Sequence, residues 1–229
     1  MFQDNTRTFH IGILDDNKAI QIKLTLIAHS LSINSIKYNF TAVEIPLDEN
    51  IEKIIDNIEE AKVDYVWIDF DYSSIQEIAF NGIDIANALL ARHEDFPLSI
   101  ITSYEDKLYE NDLPFKPENV ISYEDFMNSN AIIDESTSDN IYLKRIIRQI
   151  LNYEKEEIYY QKKLNKLLND KNLNNNVEID SAILKLDNKL ENRLNAKLAL
   201  PEKLKQDFAN NKLDTLIEQL DKILGDYKN

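Results

Sequence analysis

Cysteine is absent from the 229 residues of this chain. Its absence excludes disulfide frameworks, thiolate nucleophiles and zinc sites built on thiolates. Histidine is scarce as well, and His10, His29 and His93 lie too far apart in the sequence to form a compact metal-binding motif. Cysteine chemistry and metal sites built on a compact histidine motif are therefore excluded.

Long hydrophobic stretches are also missing. No run approaches the roughly 18 apolar residues that indicate a membrane-spanning helix. The segment from Met1 to His10 lacks the basic stretch and apolar core of a secretory signal. We therefore expect a cytoplasmic protein that does not interact with a membrane.

Basic residues are outnumbered by acidic residues, 26 to 41, which gives a formal net charge of −15. Residues 1–130 hold 24 acidic and 9 basic residues, whereas residues 131–229 hold 17 of each. The first part would repel a phosphate backbone, and the second part has no basic stripe. Nucleic acid is therefore not an expected partner.

Glycine and proline are rare and unevenly placed. Of the three glycines and five prolines, only Pro201 and Gly225 lie beyond residue 130. Before that point short apolar runs alternate with helical patterns, and after it the pattern is helical throughout. We therefore predict two domains, an α/β domain over residues 1–135 and a helical domain over residues 136–229.

Five short segments of the first domain are typical of strands buried in a parallel sheet, because both of their faces are largely apolar. They are His10–Leu14, Ser35–Phe40, Tyr65–Ile68, Leu98–Ile101 and Val120–Ser122. Segments with helical periodicity separate the strands, and each has one apolar face. The three faces consist of Ile20, Leu24, Ile27, Ala28 and Leu31, of Ile51, Ile54, Ile55 and Ile58, and of Ile85, Ala86, Leu89 and Leu90. Asp48 is the predicted N-cap of the second helix. This alternation predicts an α/β fold with a doubly wound, five-stranded parallel sheet.

Polar side chains directly follow three of the predicted strands. They are Asp15-Asp16 after the first, Asp69-Phe70-Asp71 after the third and Thr102-Ser103 after the fourth. Because the carboxyl ends of parallel strands share one edge of a sheet, we expect these side chains in one crevice. Such oxygen ligands suit Mg²⁺, and an aspartate there can accept a phosphoryl group. The competing interpretation is that each acid caps a helix or turn, or faces water.

The first part of the chain resembles the receiver domain of response regulators in bacterial two-component signalling. The resemblance is carried by the segments FHIGILDDNKAI, VDYVWIDFDY and NGIDIANALLARHEDFPLSIITS. It implies a flavodoxin-like receiver fold and a Mg²⁺ ion bound directly by Asp16 and Asp69 and through water by Asp15. It also implies that Asp69 carries the phosphoryl group, that Asp71 offers its backbone carbonyl to the metal, and that the hydroxyl of Thr102 contacts the phosphoryl group.

Two features depart from the receiver pattern. The family places a lysine at the end of the fifth strand, where this chain has Tyr123 or Glu124, with Lys116 a few residues upstream. The loop from Asp69 to Gly82 is longer than in typical receivers. In these respects the chain is similar to receiver-like proteins found beside histidine-kinase-like ATPases in bacterial conflict systems. The resemblance therefore implies a histidine-kinase-like ATPase or another signalling protein as the partner.

The sequence leaves two functional interpretations open. In the first, a kinase phosphorylates Asp69, and the protein is a phosphorelay component and not an enzyme. In the second, the protein is a pseudo-receiver that acts purely as a protein–protein interaction module. The intact acids favour the first, and the missing lysine favours the second. A less favoured third is a haloacid-dehalogenase-like phosphatase, whose DxD motif fits Asp69-Phe70-Asp71 but belongs on the first strand of that family.

Three helices are predicted in the second domain, at Ser138–Leu168, Asp180–Leu200 and Lys212–Leu224. The long helix carries apolar residues at near-heptad spacing, namely Ile146, Ile150, Tyr153, Tyr160, Leu164 and Leu167. We expect its first turns to pack on the sheet and the later stripes to bury one another in a bundle. The turn around Tyr160 and Leu164 is the predicted contact with a partner or with a second copy, which would form a homodimer through the C-terminal helices.

Overall fold

The computed structural model describes residues 6–17, 31–33, 36–75, 77–103, 119–125, 141–173, 177–195, 199–200 and 205. Along them the elements are β1 (Thr6–Leu14), β2 (Leu31–Ile33), β3 (Ile36–Glu44), α1 (Ile51–Ala61), β4 (Tyr65–Asp69), α2 (Gly82–Arg92), β5 (Leu98–Thr102), β6 (Val120–Ser122), α3 (Ile141–Leu173) and α4 (Val177–Asn195). None of these helices is apolar over a stretch long enough to cross a membrane. The helical face predicted at residues 20–28, the helix predicted at residues 212–224, and Lys116 lie outside the described residues.

Six strands form one sheet in the described part of the chain, in the order β2-β3-β1-β4-β5-β6. The pairs β1–β3, β1–β4, β4–β5 and β5–β6 are all parallel. When these five parallel strands are numbered by themselves, their order is 2-1-3-4-5, the order of the flavodoxin-like doubly wound fold. The predicted fold class is therefore confirmed.

The sheet has one strand more than predicted, because β2 pairs antiparallel with β3 at the edge, with Leu31 opposite Tyr38. Only two residues separate β2 from β3, which is the length of a hairpin connection. The prediction that Leu31 belongs to a helical face is therefore wrong. A strand of three residues is too short to show a period, and its identity depends on the partner that it pairs with.

Four predicted strands extend further in the structure, β4 and β5 by one residue each and β1 and β3 by four. β1 begins at Thr6, not His10, and β3 continues beyond Phe40 to Glu44. The added residues of β1 include exposed polar ones, which pair in register with β3, as Thr6 does with Lys37. The apolar run of β1 therefore marks only the part of the strand that is continuously buried, from Ile11 to Leu14.

Helices cover both faces of the sheet, and side chains alternate between two cores along β4. Tyr65 and Trp67 point to the core that α3 closes, whereas Val66 and Ile68 point to the core that α1 and α2 close. All four side chains are almost completely buried. This two-sided burial explains why β4 is a continuous apolar run.

The N-cap of α1 is Asn50, whose side chain accepts a hydrogen bond from the backbone N–H of Glu52. The prediction of Asp48 as the cap is therefore wrong. Asp48 instead accepts a hydrogen bond from the backbone N–H of Asn50 at 2.9 Å. Both residue types cap helices well, so the choice between them depends on where the chain turns after β3.

The chain forms two compact units, one of Met1–Ala91 with Asp95–Glu154 and one of Arg92–Glu94 with Lys155–Asn229. The division falls inside α3, whereas we placed the domain boundary between residues 135 and 136. The chain divides inside α3 because Ile146 and Ile150, in the first turns of this helix, are buried in the core of the sheet, as expected. These turns therefore belong to the first unit.

In the second unit α3 and α4 contact each other, which confirms the predicted helical extension. Arg193 of α4 is buried, donates a hydrogen bond to Glu156 at 3.0 Å and lies over the ring of Tyr160. Tyr160 is thus in contact with α4 and is partly exposed, and its contact with a partner or a second copy stays a prediction. Ile158 and Tyr159, just before it in the chain, are exposed hydrophobic side chains.

Candidate functional site

Three carboxylates meet where two neighbouring strands end. β1 ends at Leu14 and is followed by Asp15 and Asp16, and β4 ends at Asp69. Leu14 pairs with Ile68, so the strands end side by side. One carboxylate oxygen from each of the three aspartates lies within 4.8 Å of the others. The structure therefore brings these residues together at one edge of the sheet.

The crevice around these aspartates, called the acidic crevice below, also contains hydroxyl groups. It is lined by Asp15, Asp16, Asp69, Asp71, Ser73, Ser74, Ile101, Thr102, Ser103 and Tyr123. All five residues that we predicted for the site are among them. Thr102 is buried at the end of β5, and Ser103 directly follows it. The acidic crevice thus combines a cluster of negative charge with several hydrogen-bond donors.

Burial and mutual repulsion make two of these aspartates weaker acids than usual. Burial, together with the charge of Asp16, raises the pKa of Asp15 from 3.8 to about 6, against a backbone hydrogen bond from Asn17 that lowers it. Burial and then the charges of Asp15 and Asp16 raise the pKa of Asp69 from 3.8 to about 7. The backbone N–H groups of Asp71 and Phe70 lower it. A divalent cation would relieve this repulsion.

The donor set fits Mg²⁺. The three converging groups are carboxylates, and the described residues of the acidic crevice include no cysteine or histidine. Mg²⁺ prefers oxygen ligands, and it is commonly held by one or two carboxylates while it keeps several water molecules. Asp15, Asp16 and Asp69 are the residues that would hold it.

Local hydrogen bonds orient the two acids that follow β1. The backbone N–H of Asn17 donates to Oδ1 of Asp15 at 2.7 Å. The hydroxyl of Ser74 donates to Oδ2 of Asp16. Each bond engages one oxygen of a carboxylate and so limits the orientation of that side chain. The side chain of Asp71 instead accepts from the backbone N–H of Ser73 at 2.9 Å, which tightens the loop after β4.

The loop between β4 and α2 is anchored by Tyr72, a residue that the sequence analysis missed. Its side chain is 1% exposed, and its hydroxyl donates to the backbone oxygen of Leu14 at 3.3 Å. Together with the bond from Ser74 to Asp16, this contact ties the loop to the end of β1. A single aromatic residue among polar neighbours is the only signal in the sequence for this anchor.

Gly82 is the second residue that the sequence analysis missed. Its backbone N–H donates to the carbonyl of Phe70 at 3.0 Å, so the start of α2 closes the loop. A Cβ atom at Gly82 would lie 2.1 Å from the backbone oxygen of Asp69. Only glycine allows this approach of α2 to the end of β4, and the position of Asp69 depends on it.

We expect Gly82→Ala to lower the free energy of unfolding by about 1–3 kcal/mol, because the added methyl group must displace backbone. The better helix propensity of alanine, up to about 1 kcal/mol, offsets only part of this cost. Urea denaturation measures the change. Gly12→Ala is the matched control, since its Cβ would meet the side-chain atom Cγ1 of Ile45 at 3.1 Å and not backbone. Equal losses in the two variants would contradict the proposed constraint at Gly82.

Tyr123 is the residue after β6 that lines the acidic crevice, and Glu124 is not among its lining residues. Of Tyr123 and Glu124, the two candidates for the place of the family's lysine, Tyr123 is therefore the one at the site. Burial and then the charge of Asp15 raise the pKa of Tyr123, so its phenol stays protonated at neutral pH. No lysine or arginine is among the described residues that line the acidic crevice.

The order of the acidic motifs along the chain differs from that of a haloacid-dehalogenase-like phosphatase. That family places DxD on its first strand, whereas here Asp69-Phe70-Asp71 stands at the end of β4. Asp15-Asp16 occupies the end of β1 instead. The phosphatase interpretation therefore does not fit the arrangement of the strands.

No protein-family model matches this chain, and no curated protein matches its sequence. Among solved structures, the anti-anti-sigma factor PhyR from Bartonella quintana matches with 14% sequence identity and a TM-score of 0.40. The match covers 66% of this chain and 50% of that protein, so it spans about half the length of PhyR. The strand order and the helices on both faces of the sheet establish a flavodoxin-like doubly wound fold independently of this match.

Proposed function

We propose that this chain is a response-regulator-like signalling protein, not an enzyme, in which Asp69 accepts a phosphoryl group in the presence of Mg²⁺. Asp15, Asp16 and Asp69 hold the metal, together with the backbone carbonyl of Asp71. The partner that supplies the phosphoryl group is a histidine-kinase-like ATPase or another signalling protein. The observation that supports this proposal best is the convergence of three carboxylates within 4.8 Å at the carboxyl ends of β1 and β4.

The transfer is a displacement at phosphorus. A carboxylate oxygen of Asp69 forms a bond to the phosphorus atom of the donor, and the bond from phosphorus to the leaving group breaks with its electron pair. The product is an acyl phosphate on Asp69. When bound, Mg²⁺ supplies positive charge that offsets the negative charge of the phosphoryl oxygens.

The chain's own residues orient the reacting group. The backbone N–H groups of Asp71 and Phe70 lower the pKa of Asp69, and the N–H of Phe70 donates to the carbonyl of Ile101 at 3.1 Å, which fixes the chain after β4 against β5. The buried Thr102 stands at the end of β5, next to β4, and its hydroxyl donates to an oxygen of the transferred group. Such donors are effective because they are positioned before the reaction begins.

The signal passes to a protein partner through the helical C-terminal part. α3 begins in the core of the sheet, where Ile146 and Ile150 are buried, and continues into the second compact unit. One helix therefore belongs to both units. A second copy of the chain is the alternative partner for the C-terminal helices.

Beryllofluoride, which mimics a phosphoryl group on aspartate, tests the proposal directly. We expect saturable binding to the full chain in the presence of Mg²⁺ and none when the metal is chelated, as measured by calorimetry. Asp69→Asn removes the charged carboxylate that the analogue needs and is expected to abolish binding. A wild-type protein that binds Mg²⁺ but not beryllofluoride would contradict phosphoryl acceptance.

A specific observation favours a second candidate function, a pseudo-receiver that acts only as an interaction module. The described lining of the acidic crevice contains no cationic side chain to balance the charge of a phosphoryl group. In that case the carboxylates would bind a metal ion or remain partly protonated, and a partner would recognise the fold without phosphorylation. The beryllofluoride titration separates the two candidates.

A further inference from the structure

A phosphoryl group that enters the acidic crevice would be repelled by the negative charges that line it. Four of the ten lining residues are aspartates, and none is a lysine or arginine among the described residues. The phosphoryl oxygens would therefore depend on the metal ion and on neutral donors. Five hydroxyl side chains line the same space, on Ser73, Ser74, Thr102, Ser103 and Tyr123.

The five hydroxyl groups are not equivalent. Ser74 already donates to Asp16, and Ser73 belongs to the turn that Asp71 closes. Thr102 and Ser103 approach from the end of β5. Tyr123 approaches from the adjacent strand, because Thr102 pairs with Ser122 and the chain enters Tyr123 where β6 ends. It is the only residue of the described lining that lies beyond the end of β6.

Tyr123 both packs against the core and lines the acidic crevice. It is partly buried and packs against the core cluster that contains Ile121 and Leu143. Its phenol lies close enough to Asp15 for that carboxylate to act on it electrostatically. A tyrosine side chain combines these two properties, since its ring is apolar and its hydroxyl is polar.

We propose that Tyr123 is a positioning residue that donates its phenolic hydrogen bond to the phosphoryl group on Asp69. This inference rests on the proposed function and adds a donor from the residue that follows β6, the strand that pairs with β5 at Thr102. The acidic crevice would then hold a phosphoryl group by one metal ion and neutral donors, with no cationic side chain among the described residues.

Tyr123→Phe tests the inference, because it removes only the hydroxyl and keeps the ring that packs against the core. A hydrogen bond to a charged group is typically strong enough for its loss to weaken binding of the analogue about 10-fold. We therefore expect the dissociation constant of beryllofluoride to rise about 10-fold at saturating Mg²⁺, while the dissociation constant of Mg²⁺ alone and the melting temperature stay unchanged. Tyr142→Phe is the matched control, because its ring packs against the same core cluster and does not line the acidic crevice.

The outcomes separate this inference from the function on which it rests. Equal beryllofluoride affinity in Tyr123→Phe and wild type would overturn the donor role and leave phosphoryl acceptance intact. An equal loss of Mg²⁺ affinity would overturn it as well, since the hydroxyl would then act on the metal or on the fold. Tyr123→His, which restores an N–H donor, is expected to recover part of the affinity. No binding by wild type would overturn the proposed function and the inference together.

Discussion

Asp69→Asn is expected to abolish labelling of the protein by acetyl phosphate and Mg²⁺. The wild-type chain should gain one phosphoryl group, because Asp69 stands at the end of β4 with its carboxylate beside two further acids. An asparagine amide is neutral and does not attack phosphorus. Intact-protein mass spectrometry measures the label, and hydroxylamine distinguishes an acyl phosphate, which it cleaves, from a phosphoester, which it leaves.

Asp71→Asn is the matched control for this experiment. The side chain of Asp71 lines the same crevice but accepts a hydrogen bond from Ser73, and it is not one of the three converging carboxylates. We expect this variant to keep its label, at a reduced level. A label that survives Asp69→Asn, or that resists hydroxylamine, would move the acceptor to another residue. An unlabelled wild type would favour the pseudo-receiver.

Mg²⁺ is expected to stabilise the fold, and more so at pH 8 than at pH 5. The folded-state pKa values of Asp15, about 6, and Asp69, about 7, both exceed the ordinary 3.8. Between about pH 4 and pH 7 the folded chain therefore binds more protons at this site than the unfolded chain does. Without metal, the site's contribution to the free energy of unfolding is full below pH 4 and is lost as the pH rises through 7.

The metal reverses this dependence, because it binds the deprotonated carboxylates and competes with protons for them. At a free Mg²⁺ concentration ten times the dissociation constant, the free energy of unfolding should rise by about 1.4 kcal/mol, and the melting temperature by roughly 3–6 °C. Calorimetry with and without Mg²⁺ at both pH values measures the effect. Asp16→Asn should remove it, whereas Glu60→Gln, which removes an exposed charge on α1, should keep it. An equal response in both variants would place the metal elsewhere.

The five parallel strands could be predicted from the sequence because each one carries its own signal. A segment such as Tyr65–Ile68 is apolar on both faces, and only a strand covered by helices on both sides needs that composition. The convergence of Asp15, Asp16 and Asp69 followed from the same reasoning, since parallel strands end at a common edge. Their positions therefore depend on the fold class and not on the details of packing.

The features that we did not predict are those whose signal lies outside the segment concerned. β2 spans three residues and is a strand because β3 pairs with it. The division of the chain inside α3 depends on how far the sheet core extends along that helix, which buries Ile150. The contact of Tyr160 with Arg193 required knowledge of how α4 packs on α3.

The sequence by itself determined the doubly wound α/β architecture, the helical extension and the acids that meet at the carboxyl edge of the sheet. Local periodicity and the shared direction of parallel strands are sufficient for these features. Only the tertiary structure decided how the site is completed, with Tyr72 anchored to Leu14, Ser74 bonded to Asp16 and Gly82 packed on the backbone of Asp69. Tyr72 and Ser74 are each 58 residues from their partners. Contacts at such separations leave no periodic pattern in the chain, because they depend on the path of the loop that joins β4 to α2.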